Sequence, residues 1–309
     1  MTEVRIVGEV EIRRVVEWVG PIRTVDAILP DTPPDVWSDN EDWLAPDFHN
    51  PLDNAYRAAI QTWVLDVGGR TIVVDTGVGN DRDRPQVPPF ANLKTDFLDR
   101  LAAAGVDRRN VDLVINTHIH YDHVGWNTML VGGAWVPTFP NARYLVPERD
   151  RAYFRPENAY RMRAPETPDE QARFDGIRLV YADSITPIDD AGQLETWDGE
   201  HSLGDGLRLE LAGGHTPGSS VLWLESGDGA VFVGDLTQSP VQLLRPDDAC
   251  SFDLDKAQAR ASRRSVLSRA ARARAMILPA HYAGHGGARI EPDAVDGYRV
   301  AAWSRFSRI

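Results

Sequence analysis

The stretch Thr117-His118-Ile119-His120-Tyr121-Asp122-His123 places three imidazoles and one carboxylate within six consecutive residues. It directly follows an apolar segment, Val111-Asp112-Leu113-Val114-Ile115, which is typical of a buried β-strand. Imidazole nitrogens and a carboxylate oxygen together suit zinc or a similar divalent transition ion, and the spacing is typical of a two-metal site. The alternative is a cluster of surface histidines, which is disfavoured because further candidate ligands follow along the chain.

Three later segments end in such candidates. His215 follows Gly213-Gly214, Asp235 follows the apolar run 231–234, and His281 follows the apolar run 277–280. Loops at the ends of strands are where a rigid scaffold usually presents its reactive side chains, so segments from distant parts of the chain can converge at one edge. The sequence therefore predicts one site built from four segments.

An H-x-H-x-D-H motif followed by His, Asp and His in that order resembles the metallo-β-lactamase superfamily, from roughly Ile60 to the C-terminus. The resemblance implies an α/β fold of the α+β kind, an αβ/βα sandwich of two mixed β-sheets flanked by helices. It also implies the metal ligands: His118, His120 and His215 for one ion, Asp122, His123 and His281 for the other, and Asp235 as the bridge between them. His285 is the rival for the last position, and the A-H-Y segment at 280–282 favours His281.

The chemistry that the resemblance implies is hydrolysis by a metal-bridging hydroxide, because two cations beside one water lower its pKa towards neutrality. We expect Asp122 and Asp235 to be catalytic, Asp235 by positioning that hydroxide. Two divalent ions are expected, Zn²⁺ first, with Mn, Co or Fe as alternatives. No serine or cysteine nucleophile is needed, and the single cysteine, Cys250, is interpreted as an ordinary free thiol.

Two residues near the motif are predicted to support the site. Asp75, in Val73-Val74-Asp75-Thr76-Gly77, matches a D-T-G position that often lies behind the metals in this superfamily, so it is expected to orient a ligand imidazole. The alternative for Asp75 is a turn cap. Trp126, three residues after a ligand, is expected to form a wall of the substrate pocket, and its alternative is core packing.

A finer resemblance rests on Gly234-Asp235-Leu236-Thr237-Gln238, on Asp253-Leu254-Asp255 and on Gly297-Tyr298-Arg299. Together they resemble the methyl parathion hydrolase-like branch, which includes lactonases and arylesterases. Gln238 departs from it, because relatives place a histidine or a tyrosine there. The departure removes one candidate acid for protonating the leaving group, which weakens a lactonase interpretation.

Composition narrows the function classes. The formal net charge of −13 argues against nucleic acid, whose phosphate backbone is bound by clustered cations, so a small-molecule substrate is expected. No segment has the length of a membrane span, which predicts no membrane partner. With one cysteine no intrachain disulfide can form, and a cytoplasmic location is the simplest prediction.

The chain is predicted to form a single domain over 1–309. Alternation predicts a strand over 4–18, followed by a proline-rich loop extension over 19–56. N-terminal extensions contact the partner subunit in the resembled dimers, so a homodimer is one expectation. Further predictions are a hairpin from 60–66 and 71–75, a helix over 93–104, and a helix over 256–275.

The leading hypothesis is a binuclear hydrolase of an ester, lactone or phosphotriester. The alternative within the same fold is an iron-dependent oxidoreductase resembling persulfide dioxygenases, which would show iron and oxygen consumption. A third hypothesis is a non-catalytic binding protein stabilised by metal, which a turnover test on simple esters would distinguish.

Overall fold

The computed structural model describes residues 4–161, 165–293 and 296–309. Its helices within these ranges are α1 (Val25–Ile28), α2 (Pro34–Ser38), α3 (Glu41–Leu44), α4 (Phe97–Ala103), α5 (Glu148–Phe154), α6 (Pro168–Val180), α7 (Thr186–Asp190), α8 (Val241–Leu244) and α9 (Lys256–Ala273). Its strands are β1 (Val4–Val7), β2 (Val10–Thr24), β3 (His49–Asn50), β4 (Ala55–Val67), β5 (Arg70–Val74), β6 (Leu113–Ile115), β7 (Thr128–Val131), β8 (Ala134–Pro137), β9 (Arg143–Pro147), β10 (Leu194–Trp197), β11 (Glu200–Gly204), β12 (Leu207–Leu211), β13 (Ser220–Leu224), β14 (Ala230–Gly234), β15 (Met276–Pro279), β16 (Ala288–Pro292) and β17 (Tyr298–Trp303).

The described strands form two large mixed sheets and one hairpin, β7–β8. The N-terminal sheet has the order β1-β2-β4-β5-β6-β9-β10, with β3 paired to β4, and its β5, β6, β9 and β10 run parallel. The C-terminal sheet has the order β11 to β17, in which only β14 and β15 pair in parallel. Both large sheets therefore contain parallel and antiparallel strand pairs, as the two mixed sheets of the predicted fold do.

The two sheets are joined by one apolar core. It contains Trp63 and Ile115 from the N-terminal sheet and Phe232 and Leu278 from the C-terminal sheet, all buried. Helix α4 packs on the outer face of the first sheet and α9 on the outer face of the second. The order of layers is therefore helix, sheet, sheet, helix, and the predicted fold class is confirmed.

Helix α9 shows why the sequence forms this outer layer. Its buried positions, Ala259, Ser262, Arg263, Val266, Leu267 and Ala270, recur at the spacing of one helix face. The side chain of Asp255 caps its first turn by accepting a hydrogen bond from the backbone N–H of Gln258 at 2.9 Å. The predicted helix over 256–275 ends two residues earlier, because Arg274 adopts a left-handed conformation.

The N-terminal part differs from the predicted strand and loop. The strand predicted over 4–18 is a hairpin that turns at Gly8, where φ is +62°, and alternation continues on both sides of that turn. Strand β2 then continues to Thr24, six residues into the predicted loop. Pro21 is tolerated there because β2 pairs only with β4 beyond Arg13, so the missing N–H breaks no ladder on the open side.

The rest of the predicted loop is ordered by short helices. Residues 25–54 contain α1, α2, α3 and β3. Their apolar side chains, including Leu29, Trp37 and Phe48, are buried against Tyr282 in a cluster of their own. The sequence could not show this, because single-turn helices are too short for a periodic pattern. The segment therefore packs against the part of the chain that carries His281.

None of the helices in the described ranges combines the length and the apolar character that crossing a lipid bilayer requires.

A pair of leucines tests the packing of α9. Leu267 is fully buried, whereas Leu254 is 51% exposed. We expect L267A to lower the free energy of unfolding by about 2–5 kcal/mol, since it leaves a cavity in the layer between α9 and its sheet. L254A should stay within about 0.5 kcal/mol of the unmodified protein. Urea denaturation of both variants measures the difference, and equal losses would contradict this account of the outer layer.

Candidate metal centre

The candidate ligands lie at one edge of the sandwich, where strands of both sheets end. Strand β6 ends just before the motif at 117–123, and β14 and β15 end just before Asp235 and His281. His215 lies in the loop between β12 and β13. Each ligand thus follows a buried strand, which fixes its backbone to the core. The four segments converge as the sequence predicts.

The ligand atoms form two adjoining groups. The first is His118, His120, His215 and Asp235, and the second is Asp122, His123 and His281; within each group the ligand atoms lie within 4.8 Å of one another. Asp235 faces both. Its Oδ2 lies 3.1 Å from His215 Nε2, and its Oδ1 lies 3.1 Å from His123 Nε2 and 3.0 Å from His281 Nε2. One carboxylate therefore presents a separate oxygen to each group.

Hydrogen bonds at the outer nitrogens determine how four of the imidazoles are turned. The Nδ1 atom of His123 lies 2.9 Å from Asp75 Oδ2, and that of His281 lies 3.0 Å from the backbone oxygen of Ala59. His118 and His215 make similar contacts through Nδ1, with Thr117 and Asp253. A proton on Nδ1 satisfies each of these oxygen acceptors, which leaves the Nε2 lone pair directed at the centre.

Asp75 occupies the position expected of it behind the motif. Besides His123, its carboxylate accepts hydrogen bonds from the backbone N–H of Thr117 at 2.8 Å and from the Thr117 hydroxyl at 2.9 Å. Because that hydroxyl donates to Asp75, its oxygen is free to accept from His118 Nδ1. One carboxylate thus orients imidazoles of both groups.

Burial and the neighbouring charges shift the pKa values of the imidazoles and of Asp235 in this cluster. Burial is the largest cause that lowers the pKa of His118 and His120 well below the ordinary imidazole value. Burial acts the same way on His215, but Asp235 and Asp253 outweigh it and raise the pKa of His215 to about 9. Burial would raise the pKa of Asp235, yet the positive charge that the surrounding imidazoles can carry holds it well below the usual range. The centre therefore favours bound positive charge.

The donor set fits divalent metal ions. His123 Nε2 and Asp235 Oδ1 are both buried, and neither makes a hydrogen bond of good geometry within the described structure. Buried polar atoms normally have a partner, so a pair of orphaned ligand atoms points to one that the protein atoms do not supply. Imidazole nitrogens with carboxylate oxygens are the ligands of zinc and related ions.

Asp253 is a supporting residue to which the sequence assigned no role. Its Oδ1 lies 3.1 Å from His215 Nδ1, and its Oδ2 lies 3.3 Å from a guanidinium nitrogen of Arg263, which is almost fully buried in α9. Arg263 also donates to the backbone oxygen of Leu236, the residue directly after Asp235. A single arginine therefore supports the partner of one ligand and the loop of another. The Asp253 segment contributes to the finer resemblance, but that resemblance implied no contact between Asp253 and either His215 or Arg263.

Gln238 lies in contact with the carboxylate of Asp235. Its side-chain amide donates to Asp235 Oδ2 at 3.0 Å, and its backbone oxygen accepts from the Tyr56 hydroxyl at 2.8 Å. The backbone N–H of Gln238 donates to Gln242 Oε1 at 2.7 Å. The residue is held at three points and buried.

Trp126 does not line a pocket, contrary to the prediction. Its ring is buried and stacks on Phe97, with centroids 5.4 Å apart, and its indole N–H donates to Glu17 Oε1 at 2.7 Å. Burial raises the pKa of Glu17, which also accepts hydrogen bonds from the backbone N–H groups of Val78 and Gly79. The chain turns Trp126 inward, so the ring supports the loop that carries Asp75.

The structure distinguishes His281 from His285, the two candidates for the last ligand position. His281 Nε2 lies 3.0 Å from Asp235 Oδ1 and 3.5 Å from Asp122 Oδ2. His285 instead makes a hydrogen bond of 2.8 Å through Nδ1 to the backbone oxygen of Phe306 and belongs to neither group.

Comparison with known proteins identifies the fold independently. The family model described as the metallo-β-lactamase superfamily matches residues 56–281. No curated protein matches the chain. Among solved structures, AbOPH, a hydrolase in the β-lactamase superfamily, has 21% sequence identity and a TM-score of 0.78, over 97% of this chain and 96% of its own.

Two further structures share the fold. AidC, a dizinc quorum-quenching lactonase, has 22% identity and a TM-score of 0.72, over 99% of this chain and 98% of its own. A probable metal-dependent hydrolase from Staphylococcus aureus has 17% identity and a TM-score of 0.72, over 96% of this chain and 98% of its own.

Gly234 offers a test of how closely the site is packed. It has a φ of +49°, and a Cβ there would lie 2.6 Å from Thr117 Oγ1. Gly105 also has a positive φ, +80°, but a Cβ there meets nothing within 4 Å. We expect G105A to cost about 1–2 kcal/mol through backbone strain alone, and G234A to cost more because it also displaces Thr117. Thermal unfolding of both variants decides, and equal costs would contradict the close approach.

Proposed function

Because the chain belongs to the metallo-β-lactamase superfamily, we propose that it is a binuclear metal-dependent hydrolase that cleaves an ester, lactone or phosphotriester bond of a small molecule. The observation that carries this proposal is the position of Asp235, which presents one oxygen to each of two groups of candidate ligands. A bridging carboxylate between two such groups is the arrangement that a two-metal hydrolase needs.

The seven ligands divide between two ions. His118, His120 and His215 would hold one ion, and Asp122, His123 and His281 would hold the other, with Asp235 shared. Divalent ions of this kind, Zn²⁺ first, supply Lewis acidity towards a carbonyl or phosphoryl oxygen and lower the pKa of water so that hydroxide is available near neutral pH.

The protein's own contribution is to orient the ligands and the attacking water. The outer hydrogen bonds of the imidazoles fix their tautomers, so no reorganisation is needed when substrate arrives. Asp235 and Asp122 are buried, and their carboxylates would orient the attacking water by accepting hydrogen bonds from it. The Gln238 amide donates to Asp235 Oδ2 and so fixes the plane of the bridging carboxylate.

The proposed substrate class rests on the proteins that share the fold and on Gln238, the side chain that contacts Asp235. AidC is described as a lactonase in complex with a homoserine product, and AbOPH as a hydrolase. In this chain Gln238 replaces the histidine or tyrosine of the resembled branch, and its amide is already engaged with Asp235. We therefore favour esters and phosphotriesters with good leaving groups over alkyl lactones.

Metal content tests the proposal directly. Purified protein should carry close to two transition ions per chain, and chelation should abolish ester hydrolysis and lower the melting temperature, since ions that bind only the folded state stabilise it. Elemental analysis and thermal scans measure both. One ion or none in active protein would contradict the binuclear assignment, and iron together with oxygen consumption would favour the oxidoreductase alternative.

His281 and His285 give a matched pair for the same assignment. We expect H281A to lose one ion and most of the turnover, because it removes a ligand of the second group. H285A should keep both ions, since its imidazole bonds to Phe306 and not to the centre. The opposite pattern would show that the last ligand is misassigned.

The dependence of rate on the leaving group tests the role of Gln238. An amide cannot protonate a departing alkoxide, so turnover should rise steeply as the pKa of the leaving group falls across a series of aryl and alkyl esters. Q238H should flatten that dependence by supplying an acid. If alkyl lactones react as fast as nitrophenyl esters in the unmodified enzyme, another group donates the proton.

A further inference from the structure

Asp150 is a buried carboxylate close to the centre that none of the sequence motifs includes. It lies in α5 and is 0% exposed. In the described part of the chain no arginine or lysine forms an ion pair with it, unlike Asp183, which pairs with Arg82 and Arg84. An unpaired buried carboxylate is costly unless hydrogen bonds satisfy it, so its contacts need an explanation.

Three donors satisfy this carboxylate. Oδ2 accepts from the backbone N–H of Ile119 at 2.9 Å and from the Thr216 hydroxyl at 2.8 Å, and Oδ1 accepts from the backbone N–H of Gly218 at 2.5 Å. Gly218 permits this approach, because a Cβ there would lie 2.8 Å from Asp150 Oδ1. No side chain other than hydrogen fits at that position without moving the carboxylate.

The three donors belong to two ligand segments. Ile119 lies between His118 and His120, and Thr216 directly follows His215. These segments come from different sheets, and no backbone ladder connects them in the described structure. The three imidazoles nevertheless meet at 3.0 Å, from His120 Nδ1 to the Nε2 atoms of His118 and His215. The hydrogen bonds of Asp150 therefore link the backbone segment of His118 and His120 directly to the segment of His215.

This link is selective for that group. None of the three contacts of Asp150 involves Asp122, His123 or His281; the imidazole of His123 is oriented instead by Asp75, and that of His281 by the backbone oxygen of Ala59. Loss of a hydrogen bond to Asp150 should change the spacing of the ligand atoms in the first group and leave the spacing in the second group unchanged.

We propose that Asp150 is a positioning residue that sets the affinity of the His118, His120 and His215 group for its metal ion, by fixing the two ligand segments relative to each other. This inference rests on the proposed metal centre. Residues that orient ligands from outside typically change metal affinity by about 10–100-fold when they are mutated.

The principal test is the Asp150→Asn variant. An amide of the same size cannot accept at both of its ends, so it turns a donor towards either Gly218 or the pair formed by Ile119 and Thr216. Cobalt(II) titration of metal-free protein should show one dissociation constant raised by about 10–100-fold and the other unchanged. The visible spectrum of the ion that is retained should match that of His120→Ala, which keeps the second group, and not that of His281→Ala.

A second variant covers the case in which Asp150→Asn does not fold. Thr216→Val removes the hydrogen bonds of the Thr216 hydroxyl to Asp150 and to Ser219 with little change in size, and it should weaken binding of the same ion by a smaller factor. Thr32→Val is the matched control, because Thr32 makes a buried hydrogen bond of the same length, 2.8 Å, to Asp248, and neither residue is hydrogen-bonded to a candidate ligand. It should lower the melting temperature while both cobalt affinities remain unchanged.

The outcomes separate this inference from the proposed function. If unmodified protein binds no ions, the metal centre itself is wrong. If it binds two, and Thr216→Val and folded Asp150→Asn weaken both ions equally or neither, then Asp150 serves stability alone and the inference is overturned.

Discussion

Seven candidate ligand side chains, six of them buried and His120 partly buried, can share one small space only if hydrogen bonds and positive charge are fixed around them. Four imidazoles meet this constraint in the same way, with an oxygen at Nδ1 and the Nε2 lone pair turned inward. Asp235 meets the same constraint by presenting one carboxylate oxygen to each group of candidate ligands. Unpaired burial of these groups would cost several kcal/mol each, so the surrounding acceptors and the expected cations are part of the fold as much as of the chemistry.

The distances within the centre depend on how the two sheets meet, because each ligand group draws on both. The second group takes His123 from the loop after β6 and His281 from the loop after β15. Hydrogen bonds cross between the sheets close to these ends, from Gln61 and Trp63 to the backbone oxygen of Pro279, and from Ser220 to that of Thr117. The apolar core between the sheets therefore acts on the site, since repacking it would move one half of a ligand group against the other.

Gln238, the residue at which this chain departs from the resembled branch, lies beside Asp235. Gln238 is held by Tyr56 and Gln242 and donates to Asp235, so its amide acts on the carboxylate and not on a leaving group. The N-terminal segment reaches this region as well, because Phe48 packs against Tyr282, beside His281. Selectivity among substrates should therefore respond to changes in both places.

The sequence by itself determined the fold class, and it named the candidate ligands and their order along the chain, because a metal centre needs particular atoms and strands need apolar runs next to them. Asp75 was also within reach, since it lies in a short motif. Asp150 and Glu17 were not, because isolated acidic residues look alike until the fold brings donors to them. Asp253 stands in a segment of the finer resemblance, but that segment implied no contact with His215. Trp126 was misjudged for the same reason: sequence distance from a ligand does not tell which way a ring turns. Only tertiary packing decided which side chains support the centre, since each does so through contacts between segments far apart in the chain.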